Sequence, residues 1–264
     1  MLNKKSNKVI KKTIFFMLIL YIGIGSFLFI FQKNLIYHPN SQVFENCFWF
    51  EDYEKKNLNN TRFYYKKNYN EKILIYYYGN AGSACDRGIL KNYFENNNFS
   101  IIFLEYTGYS NDKRKPSKKR ILSNVKEINE FIKKNKYENI ILYGESIGSG
   151  PASYHTTINE NIKKIILVSP FSSLEDIVKQ KFPIYPISIL LKEKYENINW
   201  LENYEKEIII IHGKKDNIIK KEHSKNLYEN LNTEYKKYYL IENKGHNDLW
   251  NSNYFKKLIS KYLK

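Results

Sequence analysis

Acidic residues are scarce in this chain, 27 against 43 lysines and arginines, which leaves a formal charge of +16 over 264 residues. A surplus of that size suits an anionic partner, either nucleic acid or a membrane surface. The lysines are spread over every segment, and no basic stripe interleaved with aromatics stands out, so nucleic acid is not the expected partner. Cysteine is rarer still. Cys47 and Cys85 show no metal-ligand spacing, and no histidine accompanies Cys85, which argues against a thiol nucleophile. One disulfide outside the cytoplasm is left open. Internal repeats and low-complexity linkers are also missing. The length fits one α/β domain with room for a large core.

Charge is absent altogether from one stretch. Thr13 to Gln32 carries none, and a helix needs about 20 such residues to span the hydrocarbon core. Lys4, Lys5, Lys8, Lys11 and Lys12 precede it without an acid among them, and Lys33 follows. This lysine bias places the N-terminus in the cytoplasm and the rest of the chain across the membrane. The expected organisation is a basic cytoplasmic tail (1–12), a single-pass anchor (13–32) and one domain (33–264). A cleaved signal peptide fits less well, because its apolar region runs to about 7–15 residues and ends in a small-x-small site. Lys33 and neighbouring lysines would meet anionic lipid headgroups.

Beyond the anchor, apolar runs rich in Ile, Tyr and Phe recur at Arg62–Tyr65, Ile73–Tyr78, Ile101–Tyr106, Ile140–Tyr143, Lys164–Val168, Ile208–Ile211 and Tyr238–Ile241. Amphipathic stretches separate them. In Ser117–Lys134, just after Pro116, Ile121, Val125, Ile128 and Ile132 share one helical face, and Asn251–Leu263 is patterned similarly. Strands alternating with helices predict an α/β fold with a mostly parallel sheet covered on both faces. Pro183 and Pro186 interrupt an apolar stretch and argue against one long helix there. A short cap at 170–200 is expected, near the carboxyl ends of the strands, where such sheets bind ligands.

Gly144-Glu145-Ser146-Ile147-Gly148 follows one of these runs. G-x-S-x-G between a strand and a helix holds a serine hydroxyl exposed on a tight turn, where a base can activate it. The base and acid must follow in the order acid, then histidine. Of His38, His155, His212, His223 and His246, only the last three lie far enough downstream. His246 follows the final strand-like run and is the expected base, and Asp216, after the run Ile208–Ile211, is the expected acid. Taken singly, Asp216 reads as a cap for a helix beginning near Ile218 and His246 as an ordinary loop histidine. Asp248 comes after the histidine, Glu202 and Glu205 come before the strand, and His223 sits in a lysine-rich helix that looks solvated. An oxyanion site needs the N–H after the nucleophile, Ile147, and a second donor from an early loop. Gly79-Asn80-Ala81-Gly82 supplies that loop, with Asn80 as the donor. The alternative is a simple turn.

With these residues in view, the chain resembles the α/β-hydrolases, and among them the membrane-anchored α/β-hydrolase-domain proteins related to the protein depalmitoylases. The stretches that carry the resemblance are Leu35–Pro39, Tyr78–Gly82 with Arg87, Glu105–Ser110, Gly144–Gly148, His212–Asp216 and Gly245–Trp250. It implies a sheet of about eight strands, or one fewer if an edge strand is missing, and hydrolysis without metal or organic cofactor. Ser146, Asp216 and His246 fall on the family's triad positions. Two departures stand out. Tyr78 replaces the family's usual histidine before Gly-Asn, and Glu105 replaces an aspartate and reads as structural.

The expected activity is hydrolysis of a hydrophobic acyl ester or thioester near the bilayer, through an acyl-enzyme on Ser146. A serine aminopeptidase and a catalytically idle membrane scaffold are the alternatives, since fold alone does not choose among them.

Overall fold

Each of the seven apolar runs becomes a strand of one sheet. The computed structural model describes residues 2–68 and 70–263. Met1, Tyr69 and Lys264 lie outside them, as do the side chains of residues 2–5, including Lys4 and Lys5 of the basic flank. The chain opens with helix α1 (Leu2–Ile36) and continues through β1 (His38–Pro39), β2 (Glu54–Leu58), β3 (Thr61–Lys66), β4 (Lys72–Tyr77), β5 (Ala81–Gly82), α2 (Lys91–Glu95) and β6 (Ser100–Glu105). Then come α3 (Lys118–Lys134), β7 (Asn139–Glu145), α4 (Ser149–Thr156), β8 (Ile162–Val168), α5 (Leu174–Lys181), α6 (Ile187–Leu190) and α7 (Asn197–Trp200). The last elements are β9 (Glu207–Gly213), α8 (Lys221–Glu229), β10 (Lys236–Ile241) and α9 (Asn253–Leu263).

The main sheet has eight strands in the order β10-β9-β8-β7-β4-β6-β3-β2, so no edge strand is missing. Only β3 runs against its neighbours. The edge strand β2 was not anticipated, since Glu54-Lys-Lys-Asn-Leu58 has no apolar run to announce it. It is held as a hairpin on β3, and Asn59 makes the turn at φ 51°.

Adjacent residues of β4 identify what covers each face, because side chains alternate along a strand. Tyr76 stacks between Phe103 and Tyr143 at 5.0 and 4.9 Å and meets Phe94 of α2. Tyr77, on the opposite face, is hydrogen-bonded at 2.7 Å to His155 of α4. His155 reaches Asn129 of α3 through its other ring nitrogen at 3.3 Å. Burial holds this histidine well below its usual range, at about 3, so it is neutral and acts as a core polar link. Helix α3 starts just after Pro116 as expected, and Ser117 caps it by accepting a bond from the Arg120 N–H.

The apolar run lies within α1, which continues unbroken through the basic flank. The helix is long and apolar enough to cross a membrane, and little of its most apolar part is buried by protein. Between β8 and β9 the prolines do what they predict: α5 stops at Lys181, and a short α6 begins after Pro186. Cys47 and Cys85 are paired in a disulfide, with their Cα atoms 5.7 Å apart.

Candidate active site

The parallel strands end together at one edge of the sheet, and three loops leave from there. Tyr77 of β4 is level with Gly144 of β7, Glu145 with Val168 of β8, and Val168 with Ile211 of β9. Ser146 follows β7 directly, on a single helical turn that leads into α4. Its φ of 54° is unusual for a residue with a side chain and marks a strained, sharply turned position. The glycine two residues on is obligatory. A Cβ at Gly148 would sit 2.2 Å from the Tyr77 carbonyl oxygen, so only glycine lets the turn press against β4.

Asp216 and His246 come from the loops after β9 and β10. His246 Nδ1 donates to Asp216 Oδ2 at 2.6 Å, and Ser146 Oγ donates to His246 Nε2 at 3.0 Å. The structure thus brings together the three residues singled out from sequence order. Asp216 does not cap a helix at Ile218, because α8 starts at Lys221. Its Oδ1 instead accepts the N–H groups of Ile218 and Ile219, both at 2.9 Å, which fixes the carboxylate in place. Burial pushes this carboxyl upward, but hydrogen bonds from His212 and His246 and the Ile219 N–H outweigh it. The net result holds Asp216 well below the usual carboxylate range.

His212, one of the three downstream histidines, lies near the end of β9. The buried ring donates from Nε2 to the Ile219 carbonyl at 2.9 Å and lies 3.2 Å from Asp216 Oδ2. It braces the same carboxylate oxygen that His246 engages. Asp248, set aside by its order in the chain, accepts the Gly245 N–H at 2.6 Å and shapes the His246 loop. His223 is not solvated. It is half-buried and bonded to Gln180 at 3.2 Å, and burial lowers its pKa.

Asn80 and Ile147 line the same cavity as Ser146. Two polar groups of Asn80 are already engaged: its side-chain amide donates to the Ile36 carbonyl at 3.0 Å, and its carbonyl accepts from the His38 N–H and the Tyr109 hydroxyl. Its backbone N–H is therefore the main-chain donor it can still offer a ligand. Glu145, beside the nucleophile, is clamped by both Arg87 Nε and Nη2 at 3.1 Å and by the Tyr76 hydroxyl. This pair ties the elbow to the loop after β5, and its only sequence signal was Arg87 within the family resemblance. Tyr78, where the family has histidine, donates to Glu105 at 2.6 Å.

The cavity has a volume of about 210 Å³ and is mostly apolar. Phe171, Leu174, Ile177 and Leu191 form much of it, with Leu28, Gln32, Leu35 and Ile36 of α1 on one side.

A mostly parallel eight-stranded sheet with a serine elbow after one strand and an acid and a histidine after later ones is the α/β-hydrolase architecture. No family model matches the chain. It is 30% identical to the uncharacterised protein YfhR of Escherichia coli K12, over 66% of this chain and 63% of that protein, so it spans just under two thirds of that relative's length. It is 27% identical to the human alpha/beta hydrolase domain-containing protein 17B, over 64% of this chain and 59% of that one. An esterase of Pyrococcus furiosus superposes with a TM-score of 0.69 at 16% identity, covering 86% of this chain and 97% of the esterase, a likeness of fold. The chain has the α/β-hydrolase fold and is similar in sequence to the alpha/beta hydrolase domain-containing protein 17B of human and Xenopus laevis.

Proposed function

We propose that the protein is a membrane-anchored serine hydrolase that cleaves hydrophobic carboxylic esters or thioesters through an acyl-enzyme on Ser146. The observation that carries this reading is the unbroken hydrogen-bond relay from Ser146 through His246 to Asp216, opening on an apolar cavity. His246 Nε2 takes the Ser146 proton as Oγ attacks the acyl carbonyl, and the imidazolium that forms is stabilised by Asp216. The N–H groups of Ile147 and Asn80 donate to the developing oxyanion, where one such donor is worth about 10²–10³ in rate. His246 then protonates the leaving alcohol or thiol. Water, activated by the same imidazole, releases the acid and restores Ser146.

The charge-free run within α1 supports the anchor. The lysine-rich flank argues for a cytoplasmic N-terminus and a catalytic domain on the far side. The Cys47–Cys85 disulfide agrees with that orientation, since such bonds persist in oxidising compartments. The test is labelling of the full-length protein by a fluorophosphonate, with ester turnover measured alongside. Wild type is expected to label and turn over, and Ser146→Ala to do neither. Labelling retained in Ser146→Ala overturns the assignment.

A further inference from the structure

The part of α1 that the globular domain covers is a single stripe. Tyr21, Gly25, Leu28, Gln32 and Ile36 are buried or half-buried and recur three or four residues apart, which aligns them on one helix face. Around them Ile22, Ile24, Phe27, Ile30 and Phe31 are 43–67% exposed. Two different parts of the molecule meet this stripe. Toward the middle of the apolar run it meets the cap. The rings of Tyr21 and Tyr185 stack with centroids 4.6 Å apart, and the Tyr21 hydroxyl donates to the Ile184 carbonyl at 2.9 Å. Toward its C-terminal end it meets the catalytic cavity, which Leu28, Gln32 and Leu35 line together with Ser146. Gln32 pins the two together. Its Nε2 donates to the Leu190 carbonyl at 3.2 Å, and its Oε1 accepts the Lys192 N–H at 2.7 Å, so this buried amide is satisfied by cap backbone.

The depth of this contact is informative. The charge-free run begins at Thr13, and a helix rises 1.5 Å per residue, so Tyr21 stands about 12 Å along it. That is well inside a hydrocarbon core about 30 Å thick. Tyr185 and Ile184, which touch Tyr21, would stand at the same level. Ile184 and Ile189 of the cap are 71% and 79% exposed, apolar surface that suits contact with lipid. Leu35, 48% exposed, also lines the cavity, so the wall made by α1 reaches the surface.

Resting on the serine-hydrolase reading above, we propose that α1 is a wall of the acyl site as well as the anchor. The cap follows it into the bilayer. The acyl chain of a membrane-resident ester or thioester then passes from lipid to Ser146 along the seam between α1 and the cap. Leu28 sets how long a chain the site accepts.

The experiment uses the full-length protein in phosphatidylcholine vesicles with p-nitrophenyl butyrate and p-nitrophenyl myristate. The readout is the ratio of their kcat/KM values. Leu28→Trp is expected to lower the long-to-short ratio at least about tenfold, as a methylene-sized misfit in an apolar pocket does. Ile30→Trp puts the same bulk on the lipid-facing side and is expected to leave the ratio as in wild type. Leu28→Ala, which only removes volume, is expected to raise it, and keeps the test available should Leu28→Trp fail to fold. A ratio unmoved in both Leu28 variants, while wild type hydrolyses both esters, overturns the wall. Absence of hydrolysis and of fluorophosphonate labelling in wild type overturns the hydrolase reading, and this proposal falls with it. Ile184→Trp adds a second readout: brominated acyl chains are expected to quench its added fluorescence, and unquenched emission overturns immersion of the cap.

Discussion

Two carboxyl groups lie buried near the same edge of the sheet, and their surroundings drive them in opposite directions. Asp216, after β9, faces two imidazoles and two backbone N–H groups, which together overcome burial and keep it charged. Glu105, at the end of β6, also has donors: the Tyr78 and Ser110 hydroxyls and the Ala84 N–H. Here burial wins, and the carboxyl is pushed up to about 7. The difference lies in how complete the burial is as well as in the partners: at Glu105 neither the neutral donors nor the Arg62 charge offsets desolvation. At Asp216 the two imidazoles and the Ile219 N–H more than offset it. One carboxylate is therefore suited to stabilising a transient imidazolium. The other braces the loops after β4 and β6 and has no part in the relay.

The strongest way to break this contrast is Asp216→Asn. The amide keeps the shape but cannot hold His246 as the tautomer that accepts from Ser146. The expected loss in kcat is about 10⁴-fold, by analogy with other Ser-His-Asp sites. Pre-steady-state hydrolysis of a short p-nitrophenyl ester measures it. A loss below tenfold would mean that another group orients His246.

The charged member of the pair was legible in the sequence because its signals are local. A serine between glycines, an aspartate after one apolar run and a histidine after the next are marks that chain order alone interprets. What escaped notice depends on contacts between distant segments. His212 looked like the last residue of a strand, and only the fold turns its ring onto Asp216. Gln32 looked like the end of an apolar run, and only its bonds to the Leu190 carbonyl and the Lys192 N–H explain an amide there. Strand β2 is written almost wholly in charged and amide residues, since an edge strand is specified by its partner's backbone more than by its own side chains. The stripe on α1 is hidden for a related reason. A helix that is apolar all round shows no periodicity to reveal which face meets protein.

The uncharged member predicts a pH effect on stability. The folded pKa of Glu105, about 7, is raised above the ordinary 4.5. Below about pH 4.5 both folded and unfolded chains hold the proton, and nothing is lost. As pH rises through 7 the unfolded chain is favoured, up to roughly 3 kcal/mol. Glu105→Gln removes this group's contribution. Denaturant midpoints of the full-length protein in detergent should therefore fall less between pH 5 and pH 8 in Glu105→Gln than in wild type. Equal slopes would mean that Glu105 is ionised throughout, like Asp216.

Tyr78→Phe sharpens the same point with a smaller effect. The Tyr78 hydroxyl donates to Glu105 at 2.6 Å and favours its charged form. Deleting it leaves an ionised carboxylate one donor short, which costs about 2 kcal/mol, against about 1 kcal/mol when the carboxyl is neutral. The folded pKa of Glu105 then moves further up. Stability should fall more steeply with pH in Tyr78→Phe than in wild type, opposite in sign to Glu105→Gln. Parallel slopes for wild type and Tyr78→Phe would show that this hydroxyl does not distinguish the two protonation states. The contrast with Asp216 would then rest on burial alone.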